Sequence, residues 1–100
     1  MSNTTYADLP TRQDPEAAMA KLLLAIIAYF RTHRDSRMPE TVQHLILNCV
    51  DALRTRDTAV IRSVLAVAII HLAQLEDVAS APAVKSVLEA CSSTLEGGDA

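Results

Sequence analysis

Three histidines, two cysteines and twelve carboxylates are the residues of this 100-residue chain best suited to acid–base, nucleophilic or metal chemistry. Their spacing argues against each of these. A helical metal clamp needs two donors on one face, and His33, His44 and His71 do not stand at i, i+4 from one another or from a cysteine. His44 follows Glu40 by one turn, a spacing that suits an exposed pair. His71 falls within an apolar arc, where an imidazole donates to a carbonyl or sits at the wet edge of an interface. Cys49 and Cys91 both occupy apolar stripes and are expected to pack as small hydrophobes, since a catalytic thiol needs electropositive, partly open surroundings. A disulfide between them requires that their two helices adjoin. The acids are scattered, and paired acid–base work requires them to converge in a cleft. The two glycines, Gly97 and Gly98, lie at the end of the chain, so no glycine-rich phosphate cradle can form. The expectation is a protein with no catalytic residue, no cofactor and no bound metal.

The positive features are RTHRDSR (31–37) and the arginines Arg54, Arg56 and Arg62. From Arg31 to Arg62 six arginines face four acids, whereas from Glu76 onward one lysine faces five. A helix–turn–helix reader places its basic residues at the start of a recognition helix. Here Arg31, His33 and Arg34 close a helix, where positive charge complements the dipole. The net charge of −3 also has the wrong sign for a general binder of nucleic acid or membrane surface. A small DNA-binding regulator is therefore the second reading, and a secretion-type chaperone the third.

These residues must be carried by helices. Half of the chain is hydrophobic, only three residues are aromatic, and no glycine lies inside it to turn a sheet. Residues 1–13 are polar and aperiodic, and are expected to form a flexible arm. Asp14 as N-cap, Pro15 at the first helical position and Glu16 beside the dipole open a helix over about 15–34. Further helices are expected over about 39–55, 58–78 with Asp57 as its cap, and 81–96 with Gly97 as the closing cap, leaving 98–100 as a tail. This is an all-α single domain, a small four-helix bundle or helical array. Asp8, Asp14 and Glu16 precede the first apolar run, unlike a signal peptide, and Ala17 to Phe30 is too short to span a bilayer. Two cysteines without a secretion signal suit a reducing cytoplasm.

At 100° per residue the faces separate. Val42, Leu45, Ile46, Cys49, Val50 and Leu53 form one stripe of the second helix, with Leu47 projecting among polar residues. Val84, Val87, Leu88, Cys91 and Leu95 form a narrow stripe of the last. The first and third helices are apolar nearly all round. Met19, Leu22, Leu23, Ile26, Ile27, Tyr29 and Phe30 cover one face of the first, and Ala17, Ala20, Leu24 and Ala28 make a second seam. In the third, Ile61, Leu65, Ala68, Ile69, Leu72 and Leu75 form the core stripe, Val60, Val64 and Val67 widen it, and Ile70 lies on the far side. A helix that is apolar all round must be covered all round, which a lone four-helix bundle does not provide. A homodimer is the expected remedy, a closed pair being the commonest assembly; the alternative is a compact monomer whose alanines are tolerated at the surface. Ala17, Leu24, Ala28, Leu47 and Ile70 are the candidate protein-interface residues.

In size, acidic charge and apolar helices such as AKLLLAIIAYF (20–30) and AVIRSVLAVAIIHLAQL (59–75), the whole chain resembles the small helical antiactivators of bacterial quorum sensing. That resemblance implies a homodimer that grips the ligand-binding domain of a LuxR-type transcription factor and blocks that regulator's own dimerisation. It assigns no residue by position.

Overall fold

A computed structural model of the chain describes residues 14–33 and 37–97. The expected arm (1–13), the tail (98–100) and Arg34 lie outside the described residues. Among the described residues five helices follow in order: α1 Pro15–Thr32, α2 Glu40–Thr55, α3 Thr58–Ala73, α4 Glu76–Ala79 and α5 Pro82–Gly97. The fold is all-α.

Local chemistry accounts for where the helices begin. Asp14 accepts from the backbone N–H groups of Glu16 at 3.1 Å and Ala17 at 3.4 Å, with Pro15 next in the chain. Asp57 does the same for Ala59 at 2.9 Å and Val60 at 3.4 Å. Both satisfy donors that a helix start leaves unpaired. Arg56 closes α2 in the left-handed region, φ 56°, which lets α3 begin after a two-residue link.

The third helix is shorter than expected. It stops at Ala73 instead of continuing to Val78, Leu75 leaves the helical region at φ −97°, ψ 86°, and α4 starts anew at Glu76. Neither glycine nor proline forces this break. Run as one helix, Glu76 and Asp77 would sit against the negative end of the dipole. In the structure they occupy the first turn of α4, where the dipole favours them. The break also turns Val78 into the core.

The core lies where α1, α2, α3 and α5 meet. Met19, Leu22, Ile26, Val42, Cys49, Leu65, Leu72, Val84 and Cys91 are fully buried. The helix α1 packs chiefly on α5, and α2 on α3, while α3 also touches α1 and α5. Ala18, Ala52, Val78 and Thr94 are buried too, though they belong to none of the stripes drawn from periodicity. Thr94 hides its hydroxyl by donating to the Ala90 carbonyl at 3.0 Å. Arg62 reaches from α3 to donate to the Leu95 carbonyl at 2.7 Å, in the last turn of α5, where helix carbonyls run short of partners. One of the arginines that suggested a basic patch is thus a C-terminal cap.

Candidate interaction surface

Among the described residues six large apolar side chains are left in water: Leu24 at 68% exposure, Leu47 and Ile70 at 60%, Val67 at 52%, Ile27 at 40% and Val60 at 37%. They sort onto three helices, and the three sites differ in kind.

On α1 the exposed Ala17, Ala20, Leu24, Ile27 and Ala28 share the side opposite the buried Met19, Leu22 and Ile26. The periodicity places Ile27 with the core face; the structure moves it to this outer seam. Exposed Glu16, Lys21 and Arg31 border the seam, so it is apolar with a charged edge.

On α3 the correction is larger. Val60 and Val67, expected to widen the core stripe, are exposed, and join Ile70, Ser63 and Gln74 on the outer side. Arg62 is the only charged residue from Thr58 to Ala73, and its guanidinium is directed at α5. The outer side of α3 therefore carries no charge. Beside it an open groove of about 240 Å³ runs between α2 and α3. Thr41, His44 and Asn48 line one wall, Val64, Val67 and His71 the other. His71 Nδ1 donates to the Val67 carbonyl at 2.9 Å. The imidazole meets its expected carbonyl, and it does so in water, not within a core.

On α2, Leu47 stands apart. Its neighbours around the helix are Glu40, Gln43, Asp51 and Arg54, all exposed, and Arg54 lies 4.0 Å from Asp51. One leucine among charges is ordinary surface. The five expected interface residues are all exposed, but the fold gathers only Ala17, Leu24 and Ala28 onto one face. The signal that could have found Val60 and Val67 is their seven-residue spacing, repeated one row over by Ser63 and Ile70.

The remaining chemistry is accounted for within the fold. Cys49 and Cys91 are free and fully buried. Burial, and then the neighbouring Cys91, pushes the Cys49 thiol up to about 11. Burial likewise raises Cys91 to about 11, with Lys21 acting in the opposite direction, and its Sγ donates to the Ala18 carbonyl at 3.5 Å. Neutral thiols of this kind are poor nucleophiles at physiological pH. A wide hollow of about 600 Å³ lies between Tyr29, Phe30 and Arg37 on one side and Leu75, Glu76 and Val78 on the other. Its rings are spent on each other: Tyr29 meets Phe30 edge-on at 5.0 Å and stacks on His33 at 4.1 Å. Among the described residues no three His, Cys, Asp or Glu side chains gather as a metal site, and no helix is long and apolar enough to cross a membrane. No protein-family model, curated protein or solved structure matches the chain.

Proposed function

We propose that this chain is a cytoplasmic, non-enzymatic interaction protein: a homodimer that sequesters a regulatory protein by covering the surface the regulator uses to pair with itself. The observation that carries this is the pair of apolar outer faces, Leu24 with Ile27 on α1 and Val67 with Ile70 on α3, which the fold leaves in water. Single exposed apolar residues are ordinary, but apolar groups clustered on one helix side mark interaction sites. The helices α1 and α3 pack together through their buried stripes, so the faces opposite those stripes turn away from each other. A molecule built this way can hold its copy on one side and a partner on the other.

The resemblance to quorum-sensing antiactivators supports a LuxR-type regulator as that partner. The mechanism is competition. Any protein that binds one regulator subunit across its self-association surface draws down the regulator dimer by mass action. The test mixes the chain with the purified ligand-binding domain of a LuxR-type regulator and weighs the species by light scattering after size exclusion. The expected outcome is a mixed complex and loss of the regulator's own dimer, with Leu24→Glu losing capture while helix content is kept. A regulator dimer that persists unchanged under excess chain would refute the proposal.

A further inference from the structure

We infer that α3 is the helix through which two copies pair, each seating its Ile70 in the other's groove between α2 and α3. This rests on the homodimer proposed above and adds which face forms it, leaving α1 for the partner.

Charge is the first ground. A two-fold axis lays a surface on itself, so a single-sign patch near the axis meets its like and is repelled. The outer side of α3 carries no charge, because Arg62 is turned to the Leu95 carbonyl. The α1 seam is bordered by Asp14 and Glu16 at its start and by Lys21 and Arg31 further along, four charges that a second copy laid on it would have to meet and that the α3 side lacks.

Shape is the second. Ile70 stands on one flank of the α3 outer side, the groove opens on the other, and Val67 lies between them. A ridge and a groove side by side on one molecule are what an isologous contact uses. An antiparallel α3 pair centred on Val67 sets Ile70 against the second copy's Val64, a groove residue, and His71 against its Ser63. Gln74 then meets Val60. Every apolar residue of the row is covered without facing a charge, and the two helix dipoles oppose. Thr41, His44 and Asn48 supply the polar rim that such interfaces carry.

The test places a thiol on the axis. Val67→Cys in the full chain, oxidised mildly with copper–phenanthroline, is expected to run on a non-reducing gel at twice the 10.8 kDa chain mass. Leu24→Cys is expected to remain at the single-chain mass, since the native thiols are buried. Ile70→Glu is expected to weaken the dimer at least about 100-fold by sedimentation while helix content is retained. Cross-linking through Leu24→Cys, or no cross-link by Val67→Cys in a chain that sediments as a dimer, overturns the α3 assignment and leaves the homodimer standing. A wild-type chain that sediments at 10.8 kDa removes the homodimer as well.

Discussion

The helices α2 and α3 are each 16 residues long, pack against each other, and each bury four side chains. Val42, Leu45, Cys49 and Ala52 do this for α2, Ile61, Leu65, Ala68 and Leu72 for α3. Their outer sides are unlike. That of α2 holds Glu40, His44, Asp51 and Arg54 around a single Leu47, whereas that of α3 holds Val60, Val67 and Ile70 without a charge. Each helix meets the core with its buried stripe and with half-buried residues beside it, Ile46, Val50 and Leu53 on α2 and Val64 and Ile69 on α3, so Val60, Val67 and Ile70 are in excess of what that packing uses. The additional valines and isoleucine of α3 contribute little to the core of one chain, and exposed apolar side chains carry a solubility cost. In the proposed assembly a second molecule covers them.

The largest test of that comparison is to cut each side of α3. Leu65→Ala, in the core, is expected to cost about 3 kcal/mol in urea unfolding at any protein concentration. Ile70→Ala is expected to cost under about 0.5 kcal/mol where the chain is dilute enough to be single, and more where copies associate. Equal losses for the two variants at high dilution would erase the distinction between inner and outer sides.

The inner side can be probed by pH. The thiols of Cys49 and Cys91 are raised from 9.0 to about 11, so the folded state favours the protonated form. Their stabilising effect is fully present below about 9 and is lost as pH climbs through about 11. The urea midpoint should fall across that window, and replacing both cysteines by alanine should flatten this part of the profile. A wild-type midpoint constant over the same range would contradict the buried placement. The smallest effect belongs to the link between the two helices. Arg56→Gly removes a side chain from the left-handed region, φ 56°, and should raise stability by about 0.5 kcal/mol, the relief of strain exceeding the added freedom of the unfolded chain. A loss on thermal melting would mean that Arg56 holds the link by another contact.

Much of this was legible in the sequence where one residue decides the outcome. Asp14 and Asp57 mark helix starts because a single carboxylate satisfies the free N–H groups, and both do so in the structure. Leu24, Leu47 and Ile70 stood out because each lies across its helix from the main stripe, and all three are exposed. Periodicity failed where it had to say how wide a stripe its neighbours cover. Ile27, Val60 and Val67 sit at the edge of their arcs, and only the placement of the other helices leaves them in water. The end of α3 was hidden because no glycine or proline marks it; the clue was the poor position of Glu76 and Asp77 in a continuous helix. The link from Arg62 to Leu95, 33 residues apart, depends on packing that no local pattern encodes.

Sedimentation equilibrium at micromolar concentration, run on the wild-type chain beside a variant whose α3 is made polar like α2 (Val60→Glu, Val67→Lys, Ile70→Glu), tests the central claim most directly. The wild type should report twice 10.8 kDa and the variant 10.8 kDa, with equal helix content by circular dichroism. A wild type that weighs 10.8 kDa would contradict the claim that the outer side of α3 exists to be covered.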